Sequence, residues 1–510
     1  MVKEKNNGFF QRFLNVIERT GNKLPHPVTL FAILAVLAVI ASAVFSSIGI
    51  RVEHPGEEGE IVEVTNLLST DGIRYLFENM VENFIGFAPL GVVLATMFGI
   101  GIAERSGLIS ACLRGFVMSV PKRLITAGLV FAAIMSSVAS DAGYVVLPPL
   151  GAAIFAAIGR HPLAGLAAAF AGVSAGFSAN LLLSATDPML AEITISATTI
   201  IDGEYAETMN VAMNWYFIIV SVFLLTFIGS WVTEKIVEPR LGEYKGEYRE
   251  SMSGLDTIEK KGLKWAGVSL LITVVAITLL VAPPNAPLRA DDGGIIQSPF
   301  MSSLVPIILI FFFVPGLFYG IATKAIKNDK DVADQLSDTM AAMGMFIVLA
   351  FTAGQFVAYF GESNMGMVLG VYGAEFLEAA NLKGVPLIIA FILVAGFINL
   401  FIGSASAKWA MIAPVFVPIM MQLGYSPELT QMAYRIADSA TNIITPLMTY
   451  FAMIIAFAQK YDKKTEIGTL IAVMFPYSIA FLISWTLMLI VWMLFGIDLG
   501  PGSPILYDPN

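Results

Sequence analysis

The stretch "GSASAK", Gly403 to Lys408, interrupts the apolar run Pro386–Leu423. A second interruption, "SSVASDAG" (Ser136–Gly143), cuts the run Leu124–Ile158. The arms left on either side hold about 12 to 17 residues, short of the ~20 that span a bilayer. Each run therefore reads as a re-entrant hairpin. Its tip puts unpaired backbone at mid-depth, where only protein or a water-filled cavity can satisfy it.

That reading presumes a membrane, and the composition supplies one. The chain has 510 residues, 57% of them hydrophobic and only 13% charged, against about 25% charged in soluble domains. Mean hydropathy is +0.77. Full-length apolar runs occur at Val28–Ile50, Phe84–Ala103, Trp215–Val232, Trp265–Val281, Leu304–Ile321, Met340–Phe360, Gln431–Ala458 and Thr469–Leu494, with a long interrupted one at Ala164–Ile200. "ASA" (Ala41–Ala43) resembles a cleavage site, but the run around it is too long for a signal peptide, so the first span is expected to be retained. The single cysteine, Cys112, excludes an intrachain disulfide and a cysteine metal cluster. His26, His54 and His161 are too scattered for a metal site. His161 also lies beside the inside surface, which disfavours a histidine proton relay.

Lysine and arginine placement orients the chain. With the N-terminus inside and both hairpins returning to the side they entered, 23 of the 29 basic residues fall inside. Four (Arg51, Arg74, Arg289, Lys383) fall outside, and Lys408 and Arg435 stay in the membrane. This obeys the positive-inside rule; reading either hairpin as two spans spoils it. The expectation is an all-α polytopic membrane protein with about nine transmembrane helices, two oppositely oriented re-entrant hairpins, an inside N-terminus and an outside C-terminus. The polar loops 51–71 and 236–264 carry no usable motif and read as flexible.

The two hairpins are expected to be related by inverted symmetry. Aligning Ser140 with Ser406 sets Pro148 opposite Pro414, and each hairpin precedes a span with a polar break. These breaks are "SANLLLSATDP" (Ser178–Pro188) and "SATNIITP" (Ser439–Pro446), with Asn180 opposite Asn442. Inverted repeats with discontinuous helices point to a secondary-transporter site at the midplane.

The chemistry gathers at the breaks. Arg435 and Asp438 lie three residues apart and share a helix face, continued by Asn442 and Thr445. They read either as an ion pair with each other that fixes packing, or as a cavity wall where Arg435 holds a substrate carboxylate. Lys408 can bind an anion, snorkel, or pair with Asp438 or Asp187. Trp409 offers a face to an aromatic ligand or packs in the core. Ser137, Ser140, Asp141, Asn180 and Ser184 at one break form an oxygen-rich set suited to sodium; Ser404, Ser406, Thr441, Asn442 and Thr445 form another. Asp141, Asp187 and Asp438 can carry protons instead. "GVSAG" (Gly172–Gly176) matches the serine-hydrolase pattern, but it lies in an apolar helix rather than a strand-to-helix elbow, so no enzyme is expected.

Five motifs, "VIERTGNKLPHPVTLFAIL" (Val16–Leu34), "SSVASDAGYVVLPPLGAAIF", "SANLLLSATDP", "GSASAKWAMIAPVFVPI" and "YRIADSATNIITPLM", resemble the AbgT family of p-aminobenzoyl-glutamate transporters. The resemblance runs over nearly the whole chain. It implies a homodimer in the bacterial inner membrane and nine spans with two hairpins per protomer. It also implies an elevator-like movement of the hairpin-bearing parts (121–200 and 361–460) against a scaffold (28–120, 201–360 and the last span within 461–510). The implied activity is sodium- or proton-coupled transport of p-aminobenzoyl-glutamate, or export of p-aminobenzoate and sulfonamide drugs. The functional positions it implies are Asp187, Asn399, Trp409, Pro414, Arg435 and Asp438. In the combined expectation Arg435 and Lys408 hold carboxylate and Trp409 and Asn399 contact the aromatic amide, with Ser404 and Pro414 beside them. Sodium is the expected coupling ion, with no other cofactor and no nucleic-acid partner. A sodium-coupled dicarboxylate transporter and an ion channel are the alternatives.

Overall fold

The computed structural model describes residues 25–53, 61–139, 142–244, 254–290, 293–295, 298–445, 448, 450–463 and 465–508. Ser140, Asp141, His54, Pro446 and most of the N-terminal inside segment lie outside the described residues.

Among the described residues, seven helices are long and apolar enough to cross a membrane: Pro27–Ile48, Met80–Arg105, Trp215–Leu241, Thr257–Val281, Leu304–Thr323, Gly344–Glu362 and Ile467–Phe495. Each covers one of the uninterrupted apolar runs. Large side chains such as Leu271, Ile272, Leu279, Ile483 and Leu487 point outward from them, as lipid-facing surfaces require. The other two expected spans are broken. The first runs Pro162–Phe170, a π-turn Ala171–Ala175, an irregular stretch, then Thr186–Thr198. The second runs Pro427–Thr441, a 3-10 turn Asn442–Ile444, then Phe451–Gln459.

The interrupted runs form helix pairs. Ile125–Met135 with the turn Ser136–Ala139 precedes Ala142–Ala157, and Val385–Asn399 precedes Ala405–Gln422. In the first pair both arms pack on the first half of the following broken span; in the second, Val385–Asn399 packs on Pro427–Thr441, while Ala405–Gln422 packs chiefly on Met365–Ala379 and Thr186–Thr198. The two broken spans then meet at their breaks. At one end Arg160 fixes the first pair: its Nε and Nη2 donate to Glu238 at 2.9 and 2.5 Å, and its Nη1 to Thr126 Oγ1 at 2.7 Å. At the other, the C-terminal tail crosses the turn before Pro427, with Ser426 N donating to Ile505 O and Tyr507 N to Gly424 O, both at 3.1 Å.

Four features were not legible in the hydropathy. Leu108–Ser119, expected within an inside loop, is a helix that buries Leu108, Ala111, Leu113 and Val117 and meets the next segment at 113°. Asp329–Ala342, capped by Asn328 accepting from Asp331 N, is separate from Gly344–Glu362, so the span placed at Met340 starts later. Met365–Ala379 is a further helix, entered through Asn364 at φ 59°. Finally, the loop expected to be flexible at 51–71 holds a two-stranded antiparallel ribbon, Arg51–Glu53 with Ile61–Glu63. This qualifies the all-α reading: β-branched Val52, Ile61 and Val62 favour extended backbone.

The hydrolase-like "GVSAG" is that π-turn. A Cβ added at Gly172 would sit 2.5 Å from Ala133 Cβ, and Ser174 Oγ donates to Met448 Sδ at 3.2 Å. The glycine permits a close helix approach; the serine has no nucleophile's setting. Gly172→Val is expected to force the helices apart, at a cost of about 1–3 kcal/mol visible in thermal unfolding. Ser174→Ala should transport like the parent, and loss of transport in Ser174→Ala would reopen a chemical role for that hydroxyl.

Candidate functional site

Asp187 lies in the first turn of Thr186–Thr198, where Pro188 is tolerated because the early N–H groups need no intrahelical partner. The helix N-terminus favours its negative charge. One carboxylate oxygen accepts from Ser184 N at 2.6 Å and from Ser184 Oγ at 2.8 Å. The other accepts from Arg435 Nη2 at 2.7 Å. Arg435 thus pairs across the two broken spans rather than with Asp438 on its own helix.

Asp438 is met by Lys408, whose Nζ lies 2.5 Å from Oδ1. The side chains of all four charged residues are at most 2% exposed. Two cations and two anions cancel, which is what burial of charge demands. The ammonium also donates to Asn399 Oδ1. The Asn399 amide N–H groups face Asp438 O, Thr441 Oγ1 and Asn442 Oδ1 at 2.7, 2.7 and 2.9 Å. One side chain at the end of Val385–Asn399 therefore ties the second helix pair to the second break.

Arg435 Nε is buried and has no hydrogen-bond partner among the described residues. Its fork is only part-used, with a second weak contact from Nη2 to Ser178 O at 3.5 Å. A buried unused donor on a planar, permanently charged group is a place for an incoming acceptor.

Trp409 is fully buried. It stacks on Tyr434 with centroids 4.5 Å apart and 25° between planes. Its Nε1 donates to Thr194 Oγ1 at 2.9 Å. Thr194 donates on to Gln431, and Gln431 Nε2 donates to Asn214 Oδ1 at 2.8 Å. One indole face is taken in this conformation, so an aromatic ligand reaches Trp409 only after rearrangement. Pro414, inside Ala405–Gln422, is buried and interrupts that helix's hydrogen bonding near the same wall.

The oxygen sets are partly assembled. At the first break Asn180 Nδ2 donates to Ser137 Oγ at 2.8 Å, and Ser137 Oγ donates to Ile134 O at 2.9 Å. Ser184 bonds to Asp187 and Thr186 instead; Ser140 and Asp141 are outside the described residues. At the second break Thr441, Asn442 and Asn399 converge, and Thr445 Oγ1 donates to Leu400 O at 3.0 Å. Ser404 caps Ala405–Gln422 and lies 3.4 Å from Ser406 Oγ.

Residues missed in the sequence are Tyr434, Gln431, Thr194 and Asn214. Gln431 was within reach: it stands four residues before Arg435 on the same polar stripe. Thr194 and Asn214 give no such signal, because only tertiary packing brings them to Trp409.

Comparison with known proteins places this geometry in context. A sequence profile of the AbgT putative transporter family matches residues 12–507. The p-aminobenzoyl-glutamate transport protein of Escherichia coli (strain K12) is 41% identical over 487 residues, 95% of each chain. The crystal structure of the Alcanivorax borkumensis YdaH transporter, described as having an unusual topology, superposes with a TM-score of 0.89 at 43% identity, covering 94% of this chain and all of that one. Neisseria gonorrhoeae MtrF, described among a class of antimetabolite efflux pumps, superposes with a TM-score of 0.90 at 46% identity, covering 97% of this chain and all of that one.

Proposed function

The chain belongs to the AbgT transporter family, and from that premise we propose that it is a cation-coupled secondary transporter of aromatic carboxylates resembling p-aminobenzoyl-glutamate. The observation that carries this reading is the part-used Arg435 fork, held by Asp187 across two broken spans. A substrate carboxylate that takes the fork leaves Asp187 buried without its partner. An unpaired buried carboxylate is costly. A proton or a sodium ion removes that cost, so substrate and cation enter together. When the cation leaves, Asp187 reclaims Arg435 and the substrate is expelled. Lys408 offers a second carboxylate a place by the same exchange with Asp438. Trp409 and Asn399 form the wall toward the aromatic amide once the parts move. Sodium is supplied with neutral oxygens by Ser137 and Asn180 at one break and by Thr441, Asn442 and Thr445 at the other.

The reading includes nine spans with two re-entrant hairpins, an inside N-terminus, an inner-membrane homodimer, and movement of 121–200 with 361–460 against the remainder. A second reading is export of p-aminobenzoate and sulfonamides driven by protons; the likeness to MtrF, described among antimetabolite efflux pumps, supports its direction.

Purified protein in liposomes should accumulate labelled p-aminobenzoyl-glutamate under an imposed inward gradient of sodium or of protons. Loss of preloaded substrate driven by an inward proton gradient would select export. No movement under either gradient would sink the substrate assignment.

A further inference from the structure

A cavity of about 630 Å³ lies between the Met80–Arg105 helix, Asp329–Ala342, and the first hairpin and break. That volume lies within the range of small-molecule sites. Its lining includes Ala185 and Thr186, the residues directly before Asp187, together with Arg105 and Thr339. The rest of the lining is largely apolar, with Met97 and Val145 among it. Among the described residues that line it, Arg105 is the only lysine or arginine.

Arg105 is held but not committed. Its Nε donates to Thr339 Oγ1 at 3.0 Å and its Nη2 to Asp338 O at 2.9 Å. Its one carboxylate contact among the described residues, Asp338 Oδ2, is long at 3.4 Å, and that side chain is 69% exposed. Such a pair contributes little and exchanges readily. The seat itself is firm, because Gly101 lets Thr339 lie where a Cβ would stand, and a cation suits a helix C-terminus. Glu104 shares the rim, so attraction for an anion resides in the Arg105 fork rather than in a general positive field.

We propose that Arg105 is the port residue of this cavity: it receives the carboxylate of an aromatic anion in place of Asp338 and passes the molecule toward the Asp187–Arg435 pair, which follows directly on the lining residues Ala185 and Thr186. The identity of the physiological anion rests on the transport reading above; the anion port itself does not. A planar fork on a largely apolar wall matches a ligand with an aromatic body and a carboxylate.

The test uses the full-length protein in liposomes. Cys112 is its single cysteine, so Cys112→Ala with Val145→Cys, at a half-exposed lining position, reports on the cavity alone. Its rate of reaction is measured with p-chloromercuribenzoate, an aromatic carboxylate, and with neutral N-phenylmaleimide. Arg105→Gln should lower the anionic rate relative to the neutral one by roughly tenfold, and Arg105→Lys should keep most of the ratio. An unchanged ratio in Arg105→Gln, an equal change in both rates, or a folded Val145→Cys protein that reacts with neither reagent would overturn the port. Uptake of p-aminobenzoyl-glutamate by the unmodified protein is scored separately. If uptake fails while the ratio falls as expected, the port stands and the named substrate does not.

Discussion

Arg435→Ala should abolish uptake of p-aminobenzoyl-glutamate and lower stability by about 3–5 kcal/mol, because it leaves Asp187 as an uncompensated buried charge. Asp187 is 2% exposed and has no second cation within ion-pair distance among the described residues. Adding Asp187→Asn should return most of the stability, since a neutral amide can keep its bonds to Ser184 without a counter-charge. Transport should stay lost, because no guanidinium remains to hold the substrate. Thermal unfolding in detergent reads the first effect and liposome uptake the second. A folded, unperturbed Arg435→Ala protein would mean that the pair is not formed.

The second large effect concerns Lys408. Lys408→Ala strips Asp438 of its cation and Asn399 Oδ1 of a donor, again for about 3–5 kcal/mol. Here Asp438→Asn should be the rescuing change. The pattern of rescue is more informative than either loss alone. Crossed pairs require Asp187→Asn to rescue Arg435→Ala and Asp438→Asn to rescue Lys408→Ala, with no rescue between sets. If Arg435 and Asp438 instead paired along their own helix, Asp438→Asn would rescue Arg435→Ala.

That contrast shows what could be read from the residues and what could not. The spacing of Arg435 and Asp438 placed them on one face, and mid-membrane charge marked that face as facing protein or a cavity rather than lipid. Both conclusions needed only helix geometry and the cost of charge in hydrocarbon. Partner choice did not follow. Lys408 had Asp438 and Asp187 as equal candidates, because the choice depends on how two breaks some 250 residues apart in sequence meet in space. The fold behaves likewise. The interruptions at Ser136–Gly143 and Gly403–Lys408 were visible because they cut apolar runs below spanning length. Leu108–Ser119 was not, because twelve residues with polar positions produce no spanning signal. Trp409 could be placed beside Lys408 from the sequence, but its closure by Tyr434 and its bond to Thr194 are properties of packing.

The account's central claim is that Arg435 receives the substrate carboxylate in place of Asp187. The most direct measurement is calorimetric binding of p-aminobenzoyl-glutamate to purified Asp187→Asn/Arg435→Gln protein beside the parent, after unfolding curves have shown both to be folded. The account predicts a loss of affinity of roughly a hundredfold or more, the scale of a lost charge-assisted bidentate contact in a buried site. Parent-like affinity in the folded double variant would contradict it.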